Sequence, residues 1–111
     1  MKITTQKNPY KFAIQFTDIP GGRSTSTSLY SGEEFRKKIE RYFEEHPNEI
    51  FWIDMSDVYT LGASFLDEAF AKLAKQKGKE WYDKHIVIDF KDDNWAKAKT
   101  EELIAKRLSE D

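Results

Sequence analysis

The chain has 111 residues, with 18 Lys and Arg against 20 Asp and Glu and a formal net charge of −2. That near-cancellation excludes an electrostatic case for nucleic acid or an anionic membrane surface. The absence of Cys excludes disulfides, thiolate chemistry and Cys-based metal sites.

Residues 1–111 are long enough for a single domain with its own core. No apolar run approaches the roughly 20 residues that span a bilayer. The opening MKITTQKNPY has no apolar signal core. A cytoplasmic protein without a membrane partner is expected. Residues 1–9 read as an edge strand, centred on 2–6, or a disordered arm, with Asn8-Pro9 as punctuation. From Tyr10 to Thr17, Phe12, Ile14 and Phe16 alternate with polar or small residues, which predicts a half-buried strand. Asp18 to Gly22 is a turn. Arg23 to Leu29 reads as a second strand closing a hairpin, with a polar loop as the alternative.

Ser31, Gly32, Glu33 and Glu34 form a capping box, with Ser31 accepting from the chain and Glu34 reaching back. Phe35, Ile39, Tyr42 and Phe43 recur at helical spacing, which predicts a helix over 32–45 stopped by His46-Pro47. The apolar run Ile50-Phe51-Trp52-Ile53, stopped at Asp54, predicts the central strand over 49–54. A polar turn from Met55 leads to a helix over 62–76 with Gly78 as its C-cap. Residues 79–84 read as a connector, 85–90 as a strand and 95–109 as the last helix. Helices between successive strands argue for parallel pairing. The expected fold is α/β: a small mixed, mostly parallel sheet of four to five strands, an N-terminal antiparallel hairpin and three helices.

The junction after the central strand is where open α/β sheets build sites. Ser56, Asp57, Tyr59, Thr60, Gly62, Ala63, Ser64 and Asp67 stand there as partner-binding candidates. Ser64 has two readings: a simple cap, or a phosphoacceptor in a first turn whose free N–H groups favour an anion. Asp18, Asp54 and Asp89 near strand ends, with Lys91, allow a receiver-like acid cluster or plain strand-end solvation. His46 and His85 have no metal or triad spacing, and Gly21-Gly22 lacks the rest of a nucleotide loop. No catalytic residue, metal or cofactor is expected. Trp81, Tyr82 and Trp95 read as a docking patch or as cover for the sheet end.

Three segments together carry a resemblance. They are Ser31-Gly32-Glu33-Glu34-Phe35-Arg36, Ile53-Asp54 with Ser56 and Val58, and Gly62-Ala63-Ser64-Phe65-Leu66-Asp67-Glu68-Ala69-Phe70. Gly22-Arg23 precedes them. Over roughly residues 20–75 this resembles the STAS-like family of unknown function, a relative of STAS anti-sigma-factor antagonist domains. The resemblance implies a small sheet backed by helices. It also implies a phosphorylatable serine, falling on Ser64, and a histidine-kinase-like ATPase as partner. Gly62, Ala63 and Phe65 stand where the antagonists carry an acidic residue, a serine and a glycine. The expected function is a non-catalytic regulatory module that docks a protein through residues 55–66. The alternative is a small-ligand or nucleotide sensor using the same helix N-terminus.

Overall fold

The first departure from expectation comes at Phe12. Only Tyr10–Lys11 form strand β1, and the chain then coils into one helical turn, α1 (Phe12–Gln15). Phe12 and Phe16 are four residues apart, so their spacing fits a helix face as well as a strand face. The turn stacks their rings at 5.2 Å. Phe12 is fully buried while Ile14, which a strand would have placed beside it, is 80% exposed. Gln15 Oε1 accepts from the Lys11 N–H at 2.7 Å, which satisfies a donor the turn would otherwise leave open.

The computed structural model describes residues 1–26 and 28–110. After α1 come helix α2 (Gly32–Glu45), strand β2 (Phe51–Asp54), helix α3 (Ala63–Leu66), a π-helical turn (Asp67–Ala71) and helix α4 (Lys72–Lys77). Helix α5 (Lys79–His85), strand β3 (Ile86–Asp89) and helix α6 (Asn94–Leu108) complete the chain. Among the described residues the sheet has three strands in the order β1-β2-β3, both pairs parallel. It is therefore parallel where a mixed sheet of four to five strands was expected, and smaller. Thr27 lies outside the described residues. The rest of the expected second strand, 23–29, has turns, a bend and unassigned residues and no strand, so the antiparallel hairpin is absent among the described residues.

The cause lies in residues 21–25, whose polar groups are used by a helix end. The Gly32 N–H donates to the Gly22 carbonyl at 2.9 Å and the Glu33 N–H to the Arg23 carbonyl at 3.0 Å. Ser31 Oγ accepts from the Glu34 N–H at 3.1 Å, so the first turn of α2 is closed by three separate acceptors. The returning bond expected from Glu34 to the Ser31 N–H is not seen among the described residues, and Glu33 Oε1 instead accepts the Thr25 N–H at 2.9 Å. Residues 1–9 form neither strand nor free arm. Thr4 Oγ1 accepts the Trp52 N–H at 2.9 Å and donates to the Ile50 carbonyl at 3.1 Å, standing in for a neighbouring strand.

The core is a slab of aromatic rings between sheet and helices. Phe12, Phe35, Phe51, Phe65 and Phe70 are fully buried, with Phe35 within 6.4 Å, ring centre to ring centre, of each of the other four. The segment expected as a connector, 79–84, lies in α5. Trp81 meets Phe43 edge-on at 4.9 Å and lies tilted against His85 at 4.8 Å, and Tyr82 is buried, so both act as cover at that end of the fold.

Gly32 sets the approach of α2 to the π turn. A Cβ at Gly32 would sit 2.7 Å from the Phe65 carbonyl oxygen and 3.0 Å from the Glu68 Cβ. Backbone cannot yield as a flexible side chain can. We expect Gly32→Ala to cost about 1–3 kcal/mol in urea unfolding. A Cβ on Gly22 would meet nothing within 4 Å, and Gly22→Ala should stay within about 0.5 kcal/mol. Equal costs would refute the packing argument.

Candidate functional site

The junction between β2 and α3 is shaped at its start by one carboxylate. Asp54 Oδ1 accepts from the Ser56 N–H at 2.8 Å and from the Ser56 hydroxyl at 2.6 Å, an Asx-type turn that ends the strand. Burial alone would raise the Asp54 carboxyl. The Ser56 bonds and Lys91 outweigh it and hold the group below its ordinary value. Lys91 Nζ lies 3.8 Å from Asp54 and 3.2 Å from Asp89. Those two strand-end acids thus share an ammonium. Asp18 stands elsewhere, its backbone carbonyl accepting the Tyr59 N–H at 2.8 Å. Among the described residues no three His, Asp or Glu side chains gather into a group that could hold a metal.

Asp57 takes a left-handed backbone, φ 64°, and swings Tyr59 outward. Tyr59 is 76% exposed, and Ile14 and Ile19 are also exposed. Ile14, Val58 and Tyr59 share a concavity of about 580 Å³ with Ala13, Asp18 and Asp57. Thr60 and Gly62 are exposed. The sequence marked this loop, but it did not reveal that α1 completes the surface. The alternation from Tyr10 to Thr17 reads Ile14 onto one face of a half-buried strand, not onto a surface loop.

Helix α3 begins with Gly62 as its N-cap, which has no side chain to accept a bond. The Leu66 N–H reaches the Gly62 carbonyl, so Ser64 sits exposed in the first turn and is not the cap. The start of α2, closed by three acceptors, shows what is missing here. Ser64 and Ala63 line a concavity of about 310 Å³ together with Arg23, Asp67, Lys106 and Arg107. Arg23 comes from the loop before α2, and Lys106 and Arg107 from the last turn of α6.

Asp67 organises this basic cluster and is itself only 8% exposed. Arg107 grips it in a fork, Nε to Oδ1 at 3.0 Å and Nη2 to Oδ2 at 2.8 Å, and Arg23 Nη1 donates to Oδ2 at 2.6 Å. These planar, charge-assisted bonds are of the strong kind. Asp67 therefore reaches the site through its arginines, with little surface of its own. Glu68 beside it meets Arg36 at 3.2 Å and Lys72 at 3.3 Å. Sequence reasoning found Ser64 and noted Arg23, but it missed Lys106 and Arg107. The available signal was two acids set inside the otherwise apolar run from Phe65 to Ala71, where buried carboxylates require cations.

The fork from Arg107, against the opposing effect of burial and with help from Arg23, lowers the Asp67 carboxyl from 3.8 to about 2. The folded value lies below the unfolded one. Its contribution, roughly 2 kcal/mol, is therefore complete above about pH 4 and is lost as pH falls toward about 2. We expect Asp67→Asn to lower stability by about 2 kcal/mol at pH 7 and to flatten this acid limb. Urea midpoints measured from neutral pH to below pH 3 test it. An unchanged acid limb in the variant would assign the loss to other carboxylates.

No helix among the described residues is long and apolar enough to cross a membrane. No curated protein and no solved structure matches the chain. The family described as STAS-like domain of unknown function (DUF4325) does, over residues 31–95. That span runs from the cap of α2, through β2, the junction and the π turn, to the start of α6. On that match, and on the parallel sheet backed by helices, the chain belongs to this STAS-like family.

Proposed function

We propose that the chain is a non-catalytic regulatory module that docks a protein partner through the β2–α3 junction and is switched at Ser64. What carries the reading is the placement of Ser64: exposed, in a first helical turn without a side-chain cap, and in one concavity with Arg23, Lys106 and Arg107. A phosphoryl group on that serine would meet first-turn N–H groups and three cations, a setting that accepts doubly charged oxygens. The docking face is the exposed apolar group Ile14, Ile19 and Tyr59. Asp18 and Asp57 beside it make no ion pair among the described residues. A partner with an apolar knob and a basic neighbour fits it. A histidine-kinase-like ATPase is the partner that the STAS likeness suggests.

The free-anion reading, a nucleotide or small-ligand sensor at the same helix start, is weaker for a physical reason. Asp67 already occupies both arginines. A free anion must displace part of that fork and also lose translational freedom. A phosphoryl group tethered to Ser64 is already in place, so its effective concentration is high.

The test uses a histidine-kinase-like ATPase encoded beside this chain. We expect a complex with the wild type, and ATP-dependent phosphate on Ser64 by mass spectrometry. Tyr59→Ser should weaken the complex by about thirtyfold, a loss of ~2 kcal/mol, with no change in unfolding midpoint. Ser64→Asp should weaken it by about tenfold. Equal affinity of Ser64→Asp and wild type, with no phosphate found, would remove the switch. An unaffected Tyr59→Ser complex would remove the docking face.

A further inference from the structure

Among the described residues strand β3 is an edge of the sheet, since β2 is its one neighbour in the order β1-β2-β3. The register decides which of its backbone groups look outward. The Asp89 carbonyl accepts from the Met55 N–H at 3.0 Å, so Asp89 faces β2, and Val87 two residues before it does too. Ile86 and Ile88 then face away. The Ile86 N–H is taken by the Tyr82 carbonyl at the end of α5. The Ile86 carbonyl and both polar groups of Ile88 remain on the open edge.

That edge looks into a slot of about 400 Å³ between β3 and α6. Its walls are Ile86, Ile88 and Phe90 from the strand side and Ile104, Ala105 and Leu108 from α6. Tyr82 also lines it. The Tyr82 hydroxyl is buried without a hydrogen-bond partner among the described residues, an uncommon state for a buried polar atom.

We propose that this slot takes up an extended apolar peptide from a partner protein, laid along β3 as a fourth strand. Backbone complementarity selects the occupant. An incoming strand brings one N–H and one C=O per residue, alternating at the spacing that Ile86 and Ile88 present. Its alternate side chains turn into the apolar walls. A small apolar molecule would fill the walls but leave the Ile88 N–H and C=O unpaired and cut off from water, at a cost. The rim carries charges of both signs, Lys79 with Asp83 and Lys97 with Glu101, so it favours neither a basic nor an acidic peptide. The slot is distinct from the β2–α3 junction and does not depend on Ser64.

The probe is a short capped peptide of alternating Thr and Val, titrated into the ¹⁵N-labelled protein. We expect chemical-shift changes confined to β3, α5 and α6. Amide exchange at Ile88 should be fast in the free protein and slow by about tenfold or more at saturation. The same peptide N-methylated at every second residue should not bind. Ala105→Phe should fill the slot from an exposed position of α6 and raise the dissociation constant by about tenfold or more. Leu108→Glu gives a second block, and far-ultraviolet circular dichroism checks that both variants fold. The proposal is overturned by any of three results. The first is no shifts in β3 and α6 on titration. The second is equal binding of the N-methylated peptide, which would mark a pocket for side chains alone. The third is an Ile88 amide whose protection in the free protein grows with protein concentration, which would mark self-pairing.

Discussion

Asp67 and Glu68 are adjacent carboxylates at the start of the π turn within the helical run 63–77, 8% and 7% exposed. Carboxylates are rarely so buried without cations, and those cations come from three different parts of the chain. Arg23 comes from the loop before α2, Arg36 from within α2 and Arg107 from the end of α6. The pairs cannot be made unless all three segments stand where they do. Their net contribution to stability is small beside that of the aromatic slab, because each ion gives up hydration. Their contribution to arrangement is large, since a wrong helix register would strand a charge. The π turn at these residues is consistent with this demand. It widens the helix just where both acids must reach different partners, one toward α6 and one toward α2.

Helix α2, the helical run 63–77, helix α6 and the central strand were legible because their signals are long, whereas the short α1 and α5 were not. The apolar stripe of 32–45, its serine cap and its proline stop agree with one another, and the helix forms over Gly32–Glu45. The parallel order of the later strands followed from the helices between them. The N-terminal third misled for a definable reason. Phe12, Ile14 and Phe16 satisfy a period of two, while Phe12 and Phe16 alone satisfy a period of four. Nothing local shows that Ile14 is the residue to leave outside. The Ser- and Thr-rich stretch after it has strand-like composition. Its polar groups instead serve the start of α2 and the network around Ser31, a long-range demand that no short window contains.

The candidate site divides in the same way. The loop after β2, the helix start and Ser64 are contiguous, so one stretch of sequence exposed them. The cations around Ser64 are not contiguous. Arg107 lies 40 residues beyond Asp67, and on α6 alone it looks like an ordinary basic residue in a last helical turn. What distinguishes it is the acid it serves. Two carboxylates between Phe65-Leu66 and Ala69-Phe70 break an apolar face, and a buried acid needs a cation from somewhere. That requirement could have been read in the sequence, though the identity of the cation could not.

The same ion network bears on how a switch at Ser64 could be transmitted. Arg107 is the tie between the C-terminal turn of α6 and the helix that follows the junction, and Arg23 is the tie from the loop that caps α2. A phosphoryl group on Ser64 would compete with Asp67 for both. It carries more charge than a carboxylate, but Asp67 holds Arg107 in a two-point fork that a shift would break. The outcome of that competition sets the mechanism. If the arginines stay on Asp67, phosphorylation acts locally, by adding charge beside the docking face. If they move, Asp67 is left buried and unpaired, a state costly enough to loosen α6 from the π turn. The exposed flank of Arg107 in the cleft favours sharing between the two anions. Sharing would make the response graded and would keep the fold intact in both states.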